Sequence, residues 1–282
     1  MKKSKKKQRI VYVIGVVVFL IFTLGPFVWA FFVSITPEFE MFKNTTSMLP
    51  KQITWDNYRR ILESGTRQHE VVFQGLANSL TAVGLTMVIG LPIALAAAYA
   101  LSRMKFKGRR LIRDLILITM VIPVLATIIP LFRIFMEHDM LDNSFWLSMV
   151  YVSSFLPMSI WLMSNYFSTI PGELEEAAWV DGCGRIHAFF KIILPISYPI
   201  LFSAALIMFL SAWNQFQIPL ILASSFETKP ISIVTSEFMS KDSVQYGITA
   251  AAGLIAVLPP TVAALVFRKF LVSGMTNGAT KG

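Results

Sequence analysis

Six long apolar runs constrain this chain more than anything else in it: residues 10–35, 76–101, 111–135, 145–167, 196–222 and 248–271. At 1.5 Å per residue, roughly 20 such residues carry a helix across about 30 Å of hydrocarbon. With 55 % hydrophobic and only 15 % charged residues over 282 positions, the chain is far more apolar than a soluble domain needs to be. Inside a bilayer each backbone N–H and C=O must be satisfied by the protein itself, and a continuous run of this length does so as a helix. The expected fold class is therefore an all-α integral membrane protein with six transmembrane helices. The opening "MKKSKKKQR" resembles the start of a signal peptide. The apolar run behind it is too long for an h-region, however, and no small-x-small cleavage site follows, so it reads as a retained anchor. Residues 1–9 form a basic tail, 10–271 a single membrane domain, and 272–282 a second tail.

Orientation follows from the cations. With the N-terminus inside, seventeen of the 25 Lys and Arg fall on the inner side, six of them in "RMKFKGRRLIR" (103–113). That bias places both termini, and the loop 168–195, in the cytoplasm. The net charge of +9 then suits anionic lipid head groups. Scattered through juxtamembrane loops with no soluble domain, it does not suit a nucleic acid.

Several function classes lack their signatures. The span centres carry no ionisable residue, since Arg113, Asp114 and Arg133 sit near span ends, which weighs against an ion- or proton-coupled carrier without removing carbonyl-based coupling. No G-x-x-x-x-G-K-[ST] loop is present, so the chain does not hydrolyse ATP alone. His69, His138 and His187 are far apart, with neither H-E-x-x-H nor G-x-S-x-G. No catalytic residue and no metal ligand set is expected. The lone Cys183 excludes an internal disulfide and a multi-Cys metal site. Pro92, Pro123, Pro130, Pro157, Pro219 and Pro259–Pro260 lie within the runs and tend to bend helices.

The polar loop 168–195 contains "STIPGELEEAAWVDGCGRIHAFFKIILP". Ser168 or Thr169 is placed to cap a helix, Pro171 falls near its first position, and Glu173, Glu175 and Glu176 suit the positive helix end. Asp181–Gly182 provides the stop. Along a helix of about ten residues, Leu174, Ala177, Ala178 and Asp181 share one nearly flat face open to a partner, with Glu176 able to pair with a cation at its rim. The following "RIHAFFKIILP" returns to the membrane and is expected to stop before Pro195.

"EEAAWVDGCGRIHAFFKIILP" resembles the EAA loop of the membrane-spanning subunits of bacterial ABC importers, of the form E-A-A-x-x-D-G followed by I-x-L-P. Glu176, Ala177, Ala178, Asp181, Gly182, Ile192, Leu194 and Pro195 match in register. Together with "AAYALSRMKFKGRR" (97–110), "WNQFQIPL" (213–220) and the terminal "GMTNGATKG" (274–282), the chain is similar to the shorter six-span subunit of the maltose-type carbohydrate-uptake permeases.

That resemblance implies the type I importer permease fold, a second permease subunit, a dimeric ATPase and an extracytoplasmic solute-binding protein, in a bacterial cytoplasmic membrane. It implies no cofactor in this chain, ATP and magnesium being bound by the ATPase. Glu176, Ala177, Ala178, Asp181 and Gly182 would dock on the ATPase, Glu176 as the salt-bridging residue and Gly182 as the bend. The tail residues Asn277, Gly278 and Lys281 would reach between the ATPase subunits. The loop 223–247 corresponds by order to the one that probes the binding protein. Ser211, Trp213, Asn214, Gln215 and Gln217 combine hydrogen-bonding groups with an aromatic face and are candidates for the sugar path; the same Asn214 and Gln215 could instead bond a neighbouring span. The competing function is a self-sufficient secondary carrier or channel, which would move solute alone and be indifferent to Glu176 and Gly182.

Overall fold

The structure is a computed structural model that describes residues 2–43, 49–240 and 243–276. In chain order the helices are α1 (Lys2–Ser34), α2 (Glu38–Lys43), α3 (Asp56–Leu62), α4 (Arg67–Arg103), α5 (Arg109–Thr119), α6 (Val124–Glu137), α7 (Ser144–Thr169) and α8 (Glu173–Val180). They continue with α9 (Arg185–Ala188), a π-helical turn (Phe189–Ile193), α10 (Leu194–Ile196), α11 (Tyr198–Trp213), α12 (Gln217–Leu222), α13 (Ile231–Glu237), α14 (Tyr246–Ala256) and α15 (Leu258–Thr276). Among the described residues the only strand pairing is a two-residue hairpin, β1 (Met239–Ser240) against β2 (Ser243–Val244). Helix α1 begins at Lys2, so the basic stretch 1–9 is helical from its second residue.

Four helical segments are long and apolar enough to cross a membrane, namely Arg9–Ser34, Arg67–Arg103, Ser144–Thr169 and Tyr246–Arg268. Two further pairs qualify only together: α5 with α6, bent by 93°, and Arg185–Ile196 with α11, bent by 75°. The third apolar run, 111–135, is thus not one straight helix. Its backbone tightens into i→i+3 hydrogen bonds at Met120, Val121 and Ile122. Pro123, with φ −65° and ψ 131°, then has no N–H to continue the ladder. Pro92, Pro130 and Pro157 are carried inside helices. Pro219, Pro259 and Pro260 fall in the first turns of α12 and α15, where a missing N–H costs little. The fifth run also divides, α11 ending at Trp213 and α12 starting at Gln217.

The chain resolves into two compact units. The smaller, residues 1–73 and 234–258, packs α14 against α1 and α3. At its centre Asn57, 6 % exposed, donates from Nδ2 to the Ser34 carbonyl at 2.9 Å, while Tyr58 Oη and Ser34 Oγ lie 2.8 Å apart. Gly247 makes this possible, because a Cβ there would come within 2.9 Å of Asn57 Cγ. Gly247→Ala is expected to displace Asn57 and destabilise this unit by about 1–3 kcal/mol, the usual scale of overpacking. A lowered unfolding temperature in detergent checks it.

The larger unit comprises residues 74–233 and 259–282. Its core joins Ala94, Ala98 and Leu101 of α4 to Ile160, Met163 and Phe167 of α7 and to Ile193 and Ala204. Small residues let the helix backbones approach closely, which matters where lipid supplies no hydrophobic drive between helices. At Gly90 a Cβ would meet Met208 Sδ at 3.1 Å. Ser148 Oγ donates to the Ala82 carbonyl at 3.1 Å and Ser164 Oγ to the Ala98 carbonyl at 3.4 Å, both across 66 residues of sequence. A constant offset at two points means that α4 and α7 run parallel and in register. Helix α7, with 26 residues, therefore separates its two ends by about 39 Å.

Candidate functional site

At the Thr169 end of α7, the site is built by turn chemistry. Ser168 and Thr169 do not cap α8. Their hydroxyls donate back to the Ser164 and Tyr166 carbonyls, at 2.9 and 2.8 Å, because α7 continues through Thr169. Ile170, before Pro171, is extended at ψ 129°, and Gly172 occupies the N-cap. Helix α8 then has eight residues, with Glu173, Glu175 and Glu176 in its first turn.

Its end is a complete Schellman motif. The Cys183 N–H donates to the Ala178 carbonyl at 2.9 Å and the Gly182 N–H to the Trp179 carbonyl at 3.1 Å. Gly182 carries the required positive φ of +83°. Across this turn the Arg185 guanidinium lies 5.5 Å from the centre of the Trp179 ring. The returning helix does not stop before Pro195. Leu194 N–H bonds the Phe189 carbonyl, an i→i+5 contact, and this widened π-turn lets the chain pass into Pro195 and on to Ile196.

The expected flat face on α8 divides in two. Ala178 is 4 % exposed and packs inward, while Leu174, Ala177 and Asp181 face out with Glu176 and Gly182. Val180 at 88 %, Ile186 at 77 % and Phe190 at 59 % exposed add an apolar tip beside those acids.

The inward face holds Glu175, which in sequence is only one of three acids suited to the helix start. Glu175 is 5 % exposed. Its Oε1 accepts from Tyr99 Oη at 2.7 Å, and its Oε2 lies 3.6 Å from Arg103 Nε, an ion pair rather than a hydrogen bond. The Arg103 Nη2 donates to the Ile170 carbonyl. Tyr99 and Arg103 are four residues apart on α4, and that i, i+4 pairing above a Glu-Glu doublet was the available signal.

The opposite end of α7 organises the segment 223–231. Asp142, at φ +52°, accepts at Oδ1 from the N–H groups of Ser224 (2.6 Å) and Ser225 (2.8 Å) and from Thr228 Oγ1 (3.1 Å). From α4, Asn78 Nδ2 donates to the Phe226 and Lys229 carbonyls, both at 3.0 Å, and Ser79 Oγ accepts from the Ile231 N–H at 2.9 Å. Burial by itself pushes the Asp142 carboxyl up, but the Ser225 and Ser224 N–H groups and the Thr228 and Ser224 hydroxyls outweigh it and hold it below the usual aspartate range. A carboxyl depressed in the folded state contributes stability above its unfolded value and loses it as pH falls through the folded one. Acidification below about pH 4 is therefore expected to release the segment, read as faster hydrogen exchange at Ser224 and Ser225. In Asp142→Asn the exchange should already be fast at neutral pH, with this acid step gone.

The candidate path residues are placed as follows. Trp213 is buried, its ring stacked 5.6 Å from Phe209. Asn214 is the exposed C-cap of α11, Ser211 is half-buried and Gln217 is exposed. Gln215 Oε1 accepts from the Phe216 and Gln217 N–H groups at 2.9 and 3.1 Å, at the start of α12. Asn277, Gly278 and Lys281 lie outside the described residues. Among the described residues, no group of three or more His, Cys, Asp or Glu side chains could hold a metal ion.

The described residues are helical apart from one two-residue hairpin, and several helices are long and apolar enough to cross a membrane. Comparison with known proteins makes the class specific: the chain belongs to the family of binding-protein-dependent transport system inner membrane components, which matches residues 90–277. It is 33 % identical over 276 residues to the trehalose/maltose transport system permease protein MalG of Thermococcus litoralis, covering 98 % of each chain. It is 32 % identical over 263 residues to the trehalose transport system permease protein SugB of Mycobacterium tuberculosis, covering 93 % of each. The fold matches a chain of a bacterial ABC transporter involved in import of the acidic polysaccharide alginate, with a TM-score of 0.79 at 23 % identity, over 94 % of this chain and 97 % of that one.

Proposed function

We propose that this chain is one of two permease subunits of an ATP-driven, binding-protein-dependent sugar importer in a bacterial cytoplasmic membrane. Residues 10–271 form its membrane domain, with both termini and the 168–195 hairpin in the cytoplasm. The outward face of α8, with Glu176, Ala177, Asp181 and Gly182, seats in a cleft of a dimeric ATPase, and Ala178 backs it from within. The ATPase binds ATP and magnesium; this chain supplies no cofactor and no hydrolytic group. The tail residues Asn277, Gly278 and Lys281 contact the ATPase, and the segment 223–231 meets the extracytoplasmic binding protein. Ser211, Trp213, Asn214, Gln215 and Gln217 are the candidates for sugar contact along the path.

The observation that carries this reading is the Schellman-capped α8. An eight-residue helix that keeps an apolar and acidic tip in the open suits a partner surface, since its acids would be repelled by anionic lipid. ATP-driven closure of the ATPases would then displace the hairpin as a body and tilt the spans joined to it.

The test is purification of the tagged chain from its native membrane and reconstitution in liposomes. Co-purification of a second permease and an ATPase is expected, with ATP hydrolysis stimulated by a sugar-loaded binding protein; trehalose and maltose are the first sugars to try. Uptake by the isolated chain without ATP would overturn the reading in favour of a self-sufficient carrier or channel.

A further inference from the structure

We propose that Glu175, acting with Tyr99 and Arg103, fastens α8 to the end of α4 and is the positioning residue that carries the displacement of α8 into that span. This rests on the docking of α8 proposed above.

Three carboxylates share the first turn of α8, yet Glu173 and Glu176 face solvent while Glu175 is buried. Burying a carboxylate is costly unless it is paired and hydrogen-bonded. Stability alone would be served as well by an apolar side chain, so the charge calls for a reason beyond packing. The geometry supplies one. Helix α8 packs against α9 and the π-turn within its own hairpin, and Arg185 lies over Trp179; among the described residues its side-chain polar ties to α4 are those of Glu175. The Glu175 carboxylate reaches two groups on one face of α4, at 2.7 Å and 3.6 Å. Arg103 at the same time holds the Ile170 carbonyl at the end of α7. The Tyr99 ring stands edge-on to Phe167 at 6.3 Å and lies 4.6 Å from Phe189 of the returning segment. One buried acid thus gathers α4, the end of α7, α8 and the π-turn into a single body. Directional bonds resist sliding and rotation, which an apolar contact does not.

The experiment uses the assembled transporter in proteoliposomes and reads sugar uptake per ATP hydrolysed, a ratio that a mere loss of folded complex leaves unchanged. Tyr99→Phe keeps the ring and its contacts and removes only the hydroxyl; Glu175→Gln keeps the shape and removes the charge. Both are expected to hydrolyse ATP under binding-protein control while uptake per ATP falls about tenfold, the ratio set by one lost charge-assisted hydrogen bond. In a Cys183→Ser background, a short bifunctional thiol reagent joining Tyr99→Cys to Glu175→Cys should restore the ratio. An unchanged ratio in both single variants, or uptake and hydrolysis falling together with the amount of complex, would reduce Glu175 to a structural staple and overturn the proposal. If Gly182→Arg also transports normally, the docking of α8 itself has failed; if Gly182→Arg blocks transport while Tyr99→Phe and Glu175→Gln keep a normal ratio, only the fastening falls.

Discussion

A chain carrying Gly182→Arg is expected to insert in the membrane at normal levels and to support no uptake. Gly182 sits at φ +83° with nothing within 4 Å of where a Cβ would stand. The substitution therefore meets no clash inside the chain and costs only the left-handed strain, about 1–2 kcal/mol. That is too little to unfold a bundle of this size, yet the guanidinium projects from the tip beside Asp181, where the proposed ATPase surface would close. Gly182→Asn is the control, since Asn accepts the left-handed region and is small; it should keep most of the uptake. Membrane fractions quantified beside transport separate the two effects, and normal uptake by the Arg variant would remove α8 as the docking element.

The largest loss of stability is expected from Arg103→Met. It leaves the carboxylate of Glu175, with its side chain 6 % exposed, without its cation and should cost about 3 kcal/mol or more, the usual penalty for stranding one partner of a buried pair. Adding Glu175→Leu should recover most of that loss, because an apolar pair of similar volume avoids the desolvation of both charges. Thermal unfolding of the four members of the cycle in detergent measures this directly. Strictly additive losses would mean that the two side chains do not interact in the folded protein.

The helical class was legible because apolar run length alone decides it, and the Asp181–Gly182 stop because glycine takes that backbone angle with the least strain. The α8 start was misplaced: Ser168 and Thr169 look like caps in sequence, but their hydroxyls can equally bond back to carbonyls one turn earlier, and α7 had more core to bury. Pro195 misled for a related reason, since a widened turn accommodates a proline that an ideal helix would reject. Pro123 did break its helix while Pro92 and Pro157 did not, and residue type cannot tell these apart without the neighbouring helices. The division of Ala177 from Ala178, and of Glu175 from Glu176, depends on which side of α8 meets α4, a tertiary fact that helical periodicity alone leaves open.

The register shared by α4 and α7 has a consequence for regulation. Asn78 and Asp142 grip the segment 223–231 at one end of this helix pair, and Tyr99 and Arg103 hold Glu175 of α8 at the other. If occupancy of one end changes the free energy of a global state, thermodynamic linkage obliges the other end to respond by the same factor in reverse. On the proposed function, a nucleotide state that favours one posture of α8 would tighten or loosen whatever rests on residues 223–231 by an equal amount. The conversation between the two faces would be symmetrical, with neither end merely the listener.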